Sequence, residues 1–288
     1  MYNVQLGKRE IGPSAPVYVI AEIGINHNGD VEQALALVDV AADAGCDAVK
    51  TQKRTVDIVF SAEELARPRP NPFGATNGDL KYGLELSVEQ HREIAAHAAG
   101  RGLAYTASAW DEVAVDDVEQ LAPAFFKIAS ASLTDDDLLR QHRKYDRPVL
   151  LSTGMSTLEQ IDHAVEVLGA ADLVLLQCTS TYPASADELD LRAIPTLAAR
   201  YGVPVGYSGH EAGTAATVAA VALGATVVER HITLDRASWG SDQASSIEPD
   251  ELNRLVAEIR FVERALGSDV KRLHGSEEPV RDKLRRVG

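Results

Sequence analysis

Val17–Tyr18–Val19–Ile20–Ala21–Glu22–Ile23–Gly24, running into Asn26–His27–Asn28–Gly29–Asp30, is the stretch whose reading decides the fold. An apolar run of strand character carries a carboxylate near its end, then passes through small and polar residues into a helical pattern. A glutamate within a strand buried on both faces is costly, whereas at the carboxyl tip it faces a crevice. The same design recurs along the chain: a short apolar run, a polar side chain at its end, then an amphipathic helix.

Working outward, residues 31–44 read as a helix closed by Gly45, and 47–51 as the second strand. Residues 53–87 read as the longest irregular segment, containing Arg67–Pro68–Arg69–Pro70–Asn71–Pro72 and Asn77–Gly78. Ordinary βα connections run to about 2–6 residues, so this insertion is expected to be a wall or lid of a site. Ser87 is placed to cap a helix over 88–100, with Gln90 completing a capping box. Further units follow: strand 103–106 with helix 111–121, strand 124–128 with a helix capped by Thr134, and strand 149–152 with helix 157–168. The last three are strand 173–177 with helix 186–201, strand 204–207 with helix 214–223, and strand 225–229 with helix 249–266.

Eight such units in about 250 residues predict a closed (β/α)8 TIM barrel, an α/β fold, over residues 1–267. Residues 1–16 read as polar and Pro/Gly-containing, and 268–288 as a charged tail that packs outside the barrel or frays. An open doubly wound sheet is the alternative, but Gly24 and Gly29 do not make its glycine-rich fingerprint.

The chain has 288 residues, 45% hydrophobic and 25% charged, as in ordinary globular proteins. Lys plus Arg number 28 against 43 Asp plus Glu, a formal charge of −15. That field disfavours nucleic acid and anionic membrane, and requires any pocket for an anion to be locally basic. Cys46 and Cys178 alone make neither a disulfide framework nor a zinc motif. Without an apolar targeting segment or a membrane-length apolar run, the cytoplasm is the default expectation.

In a barrel the strand tips converge on one face, which carries the chemistry. They are Glu22, Lys50 with Gln52, Thr106 with Ser108, Lys127 with Ser130, Ser152 with Thr153, Gln177 with Thr179 and Ser180, Ser208 with His210, and Glu229 with His231. Any one of them alone reads as an ordinary surface residue, since polar residues at strand ends are common. Together, two lysines among hydroxyls suit a phosphate and a carboxylate. His210 and His231 end consecutive strands and, with Glu22, suit a divalent ion such as Mn²⁺; acid–base histidines without metal are the alternative. His91 reads as a surface residue of helix 88–100, and His27 as part of the first active-face loop. Asp235 and Asp242 flank Trp239–Gly240–Ser241, a loop able to cover the barrel mouth.

Ile20–Ala21–Glu22–Ile23–Gly24–Ile25–Asn26–His27–Asn28–Gly29 resembles the opening motif of the sialic acid synthase family, enzymes that condense phosphoenolpyruvate with an aldose. Lys50–Thr51–Gln52, Phe126–Lys127–Ile128–Ala129–Ser130, Ser152–Thr153–Gly154–Met155, Cys178–Thr179–Ser180–Thr181–Tyr182–Pro183, Gly206–Tyr207–Ser208–Gly209–His210 and Glu229–Arg230–His231–Ile232–Thr233–Leu234–Asp235 resemble the remaining motifs in order, across residues 15–267. The resemblance implies that Lys50, Lys127, Ser130, Ser152 and Ser208 hold phosphoenolpyruvate, and that His210 and His231 bind Mn²⁺ or Mg²⁺. It implies that Glu22 handles protons near the reacting water, and that Gln52, Tyr182 and Asp242 contact the open-chain sugar. The implied product is a sialic-acid-like 3-deoxy-2-ulosonic acid, released with inorganic phosphate by a homodimer.

The chain departs from the family pattern at several points. Ser132 and Leu133 stand where an acidic residue is common, Gln243 where a histidine follows the loop aspartate, and Gly209 where an aspartate is usual. Leu284–Arg285–Arg286 resembles the junction to the family's small antifreeze-like domain, and no such domain is expected within residues 268–288. That domain's arginine contacts the sugar's acyl-amino group, so N-acetylmannosamine is expected to be a poor substrate here. Two other readings compete with the main one. A barrel aldolase or lyase could use Lys50 or Lys127 as a Schiff-base nucleophile, and a non-catalytic sugar-phosphate-binding protein could share the scaffold.

Overall fold

The computed structural model describes residues 3–287; residues 1–2 and 288, the extreme ends of the expected barrel and tail segments, lie outside the described residues. The chain opens with a hairpin, β1 (Val4–Leu6) and β2 (Arg9–Ile11), followed by β3 (Tyr18–Gly24), α1 (Val31–Asp43) and β4 (Ala48–Lys53). The 53–87 insertion holds α2 (Val56–Val59), α3 (Ala62–Ala66), β5 (Pro68–Asn71), β6 (Gly74–Thr76) and α4 (Asn77–Leu84). Then come α5 (Val88–Gly100), β7 (Ala104–Ala109), α6 (Glu112–Glu119), β8 (Phe126–Ile128), α7 (Asp136–Arg143), β9 (Val149–Ser152) and α8 (Leu158–Leu168). The chain continues through β10 (Leu173–Cys178), α9 (Ala193–Tyr201), β11 (Val205–Gly209), α10 (Ala215–Ala222), β12 (Val227–His231), α11 (Pro249–Leu266) and α12 (Glu278–Leu284).

Eight parallel strands close the expected barrel in the order β3-β4-β7-β8-β9-β10-β11-β12. β3, β9, β11 and β12 are buried at every residue, as strands covered on both faces must be. The outward-facing apolar residues pack with the helices in two clusters, and the inward-facing ones form a third. Helix starts follow local chemistry: the Asp30 side chain accepts from Glu32 N, while Ser87–Gln90 and Thr157–Gln160 form reciprocal capping boxes.

Inside the barrel the two-residue period of the strands separates an apolar layer from a polar one. Tyr18, Ile20, Ala48, Leu150, Val174, Leu176 and Val227 pack with Val4, Leu6 and Ile11 of the N-terminal hairpin, which stops the amino end of the barrel. One step towards the carboxyl ends, Lys50 pairs in register with Glu22 and Thr106, Ser108 with Lys127, Ser208 with Glu229, and His231 with Glu22.

The structure corrects five expectations. Residues 1–16 contain the stopping hairpin, whose strands are too short to show periodicity. The insertion is built of short helices and an antiparallel hairpin rather than irregular chain. The α7 cap is Asp135, which accepts from Leu138 N, rather than Thr134. The helix expected over 186–201 begins only at Ala193, because Asp190 takes a left-handed conformation (φ 47°) after a single tight turn at 186–188. His91 is buried, with its ring nitrogen 2.6 Å from the Tyr105 hydroxyl. Among the described residues no helix is long and apolar enough to cross a membrane, and α12 has no buried residue.

Candidate active site

The polar layer opens into a cavity of about 220 Å³ at the carboxyl face. Its walls include Glu22, Lys50, Gln52, Lys127, Ser130, Ser152, Tyr182, Ser208, His210 and His231, which are ten of the eleven residues expected at the site. The eleventh, Asp242, stands just behind this wall with its carboxylate 3.8 Å from His231 Nδ1.

The two lysines are buried, and both are already paired with acids. Lys50 Nζ lies 2.5 Å from Glu22 and donates to Ser108 Oγ at 2.8 Å. Lys127 Nζ lies 3.5 Å from Glu229, which also faces Lys50 at 3.9 Å and accepts from Ser208 Oγ at 2.9 Å. The site is therefore a four-membered charge cluster, in which an incoming anion competes with Glu22 and Glu229 for the ammonium groups. Glu229 was visible as a strand tip, but its pairing depends on cross-strand register that residue types alone do not reveal.

The two acids are driven in opposite directions. Burial raises Glu22 most; Lys50 opposes it and Glu229 adds to it, so its carboxyl takes a proton more readily than usual. Burial also acts on Glu229, but Lys127, Lys50 and the Ser208 hydroxyl outweigh it and hold this group ionised well below the usual range. A pair of acids with separated protonation states suits proton handling beside a fixed counter-charge.

Several hydroxyls remain available around this cluster. Ser152 Oγ is buried without a hydrogen-bond partner, and Ser130 Oγ accepts from Gly154 N at 3.0 Å. Gln52 Nε2 donates to Glu22 at 3.4 Å, and the Tyr182 ring packs 4.1 Å from that of His210, centroid to centroid.

The His210 and His231 rings lie 5.4 Å apart. His210 Nδ1 donates to the Thr179 carbonyl at 2.8 Å, which assigns the tautomer and leaves Nε2 as a lone-pair donor. His231 is held neutral by burial, and its Nδ1 has no hydrogen-bond partner. Both features fit ligands of a divalent ion, with Glu22 and Asp242 at hand. No group of three or more His, Cys, Asp or Glu already gathered for a metal occurs among the described residues, so the histidine pair would leave coordination positions open.

A buried ion pair behind the wall holds the two histidine-bearing loops together. Arg230, beside His231, donates to Glu211 Oε1 at 3.0 Å, to the Glu211 and Gly213 carbonyls, and to Thr217 Oγ1. Glu211 also accepts from the Tyr207 hydroxyl at 2.8 Å. A Cβ at Gly209 would lie 2.5 Å from the Glu211 carboxylate and 2.6 Å from the Tyr207 ring. Gly209 thus leaves room for this ion pair. In the last loop Gln243 is buried and accepts from the Thr233 hydroxyl. Trp110 and Cys178 also line the cavity: no sequence signal marks Trp110, whereas Cys178 opens one of the family-like motifs without being read as a site residue.

The model of the NeuB family matches residues 37–271. N-acetylneuraminate-9-phosphate synthase of Homo sapiens is 40% identical over 281 residues, covering 96% of this chain and 78% of that protein. N,N'-diacetyllegionaminic acid synthase of Campylobacter jejuni is 37% identical over 270 residues, covering 90% of this chain and 80% of that protein. The crystal structure of N-acetylneuraminic acid synthetase from Leptospira borgpetersenii, in complex with citrate, superposes with a TM-score of 0.87 at 30% identity, covering 99% of this chain and 98% of that one.

Proposed function

Because the chain belongs to the NeuB family, we propose a division of labour within its chamber for that family's reaction. The protein is an ulosonic acid synthase that condenses phosphoenolpyruvate with a sugar. In this reading C3 of phosphoenolpyruvate bonds to the aldehyde carbon of an open-chain aldose, and water adds at C2. Cleavage of the C2–O bond then releases inorganic phosphate and leaves the 2-keto acid.

Lys50 and Lys127 take the phosphate and carboxylate of the donor, with the Ser130, Ser152 and Ser208 hydroxyls completing its shell. Fixed, buried cations stabilise such an anion without reorganising as the reaction proceeds. Glu22 serves the aldehyde oxygen, which must gain a proton, and the water, which must lose one; its raised proton affinity suits both roles. Gln52, Tyr182 and Asp242 orient the sugar chain. His210 and His231 would hold Mn²⁺ or Mg²⁺, which when bound supplies Lewis-acid polarisation of the aldehyde oxygen. The enzyme is proposed to work as a homodimer in the cytoplasm, its assembly open to light scattering.

The observation that carries this reading is the convergence of both lysines, both histidines and Glu22 on one cavity. The test measures phosphate release from phosphoenolpyruvate with Mn²⁺ across a panel of aldoses, with mass analysis of the product. A product heavier than the aldose by the pyruvyl unit is expected. Lysine trapping by borohydride would instead establish Schiff-base chemistry at Lys50 or Lys127.

A further inference from the structure

One buried side chain joins the exit of β3 to the loop that follows β12. Asn26 is 1% exposed, and both of its amide hydrogens are used: Nδ2 donates to the Ile232 carbonyl at 2.8 Å and to Ser246 Oγ at 2.8 Å. Ile232 follows His231 directly, and Ser246 closes the loop that carries Asp242. The Ser246 hydroxyl passes the connection on by donating to the Asp242 carbonyl at 2.7 Å. A single carboxamide thus ties the strand end bearing His231 to the backbone of Asp242, whose carboxylate lies 3.8 Å from His231 Nδ1.

Asn26 is itself held firmly. Its N–H donates to the Ile23 carbonyl at 2.9 Å, and its carbonyl accepts from Gln33 Nε2 of α1 at 2.6 Å. Asn28 adds a second stitch to the same loop, with Nδ2 donating to the Trp239 carbonyl at 2.9 Å. Ile232 N donates to the Glu22 carbonyl and Ile247 N to the His231 carbonyl, both at 2.9 Å, so the loop leaves and rejoins the barrel wall beside Asn26. Its other side is anchored to α11, where Arg236 donates to Glu251 and to the Ser246 carbonyl. Among the described residues the Asn26 and Ser246 side chains make no bond to Lys50 or Lys127, whose acid partners are Glu22 and Glu229. The clasp therefore governs the histidine side of the chamber and not its lysine side.

We propose that Asn26 is a positioning residue for the sugar end of the site, acting through Ser246 to set Asp242 opposite His231. The proposal rests on the synthase reading above, in which Asp242 orients the sugar chain. It adds that this orientation depends on a side chain that is no part of the chamber wall. A group that must meet its substrate to within a fraction of an ångström needs its own backbone fixed by bonds behind it. Breaking the relay lets Asp242 drift and weakens the hold on the sugar, while the seat of the donor stays as it was.

The test compares Asn26→Ala and Ser246→Ala with the native protein, each also in an Asp242→Ala background. KM is read for phosphoenolpyruvate and for the aldose separately, each at saturation of the other. The aldose is whichever of N-acetylmannosamine, its 6-phosphate and mannose the native protein condenses fastest. Either single substitution should raise the aldose KM by about threefold to tenfold, the worth of a neutral hydrogen bond, and leave that for phosphoenolpyruvate within about twofold. In the Asp242→Ala background neither should add a further loss, because changes along one path are not additive. Hydrogen exchange over residues 233–246 needs no turnover and should quicken in both single variants. Ser246→Ala keeps the bond from Asn26 to Ile232, and carries the test if Asn26→Ala fails to fold. Equal losses in both KM values, or a full further loss without Asp242, overturn the proposal while leaving the synthase reading standing. A native protein that condenses none of these aldoses overturns the synthase reading; exchange then decides the clasp alone, quickened exchange supporting it and unchanged exchange overturning it.

Discussion

Replacing Arg230 by Met tests whether the histidine-bearing loops are held by a buried charge. The Arg230 side chain is 1% exposed and that of Glu211 is 6% exposed. The substitution keeps much of the volume but removes donors to one carboxylate oxygen, two carbonyls and Thr217. Glu211 would keep only its neutral hydroxyl partners, Tyr207 and Thr217. Breaking a buried pair from one side costs about 3–5 kcal/mol, because the surviving charge is left uncompensated. For a chain of this size that corresponds to a fall in Tm of roughly 6–15 °C, at about 2–3 °C per kcal/mol. Urea unfolding monitored by circular dichroism gives the free energy directly. Adding Glu211→Gln to Arg230→Met should recover part of the loss, since the orphaned charge is then gone. A loss below about 1 kcal/mol in the single variant would refute the reasoning.

Three other outcomes are expected. Lys50→Ala or Lys127→Ala should raise KM for phosphoenolpyruvate or lower kcat by about tenfold to more than a hundredfold, the worth of a charged hydrogen bond; unchanged kinetics in both would show the anion site to be misplaced. EDTA should abolish activity and Mn²⁺ restore it, and His210→Ala or His231→Ala should remove metal binding measured by calorimetry while leaving Tm within a few degrees; full activity after verified metal removal would sink the metal assignment. Burial lowers His91 to about 3 and His142 to about 4, so below the ordinary value of 6.5 the unfolded chain takes up protons that the native one refuses. The contribution of these histidines should therefore be full above about pH 7 and fall as pH drops from 6.5 towards 4, by up to about 1.4 kcal/mol per unit for each, against the opposite contribution of the raised Glu22; replacing His91 and His142 by Gln should flatten the Tm profile between pH 7 and 5, and a double variant with the native slope would contradict this.

What the sequence disclosed, and what it hid, follows from the range of the interactions. Strand 149–152 and helices 88–100 and 249–266 were legible to the residue, because their caps and apolar patterns are local. The tips of the strands were legible too, since a polar residue ending an apolar run marks the carboxyl face wherever its partners lie. The β1–β2 hairpin was not, because three-residue strands carry no period and gain their burial only from the barrel they stop. His91 was misread because Glu89, Arg92 and Glu93 around it are charged, while its partners Thr51 and Tyr105 come from β4 and β7. The pairing of Lys127 with Glu229, and the room Gly209 leaves for Glu211, are likewise products of register and packing between distant segments.

The hairpin at the amino end also governs traffic. With Val4, Leu6 and Ile11 seated against the lowest inward-facing residues, the barrel is, among the described residues, stopped at its amino end and open to the chamber at its carboxyl face. Anything that reaches the buried Lys50 and Lys127 must pass Tyr182, which lines the chamber and is half exposed. On the proposed reading, a donor that needs the floor has to descend before a sugar occupies the passage above it. Phosphate freed at the bottom leaves by the way its parent entered. A well stopped at its floor turns depth into sequence: on the proposed reading, the order of the lining residues from floor to rim becomes the order in which the reactants queue.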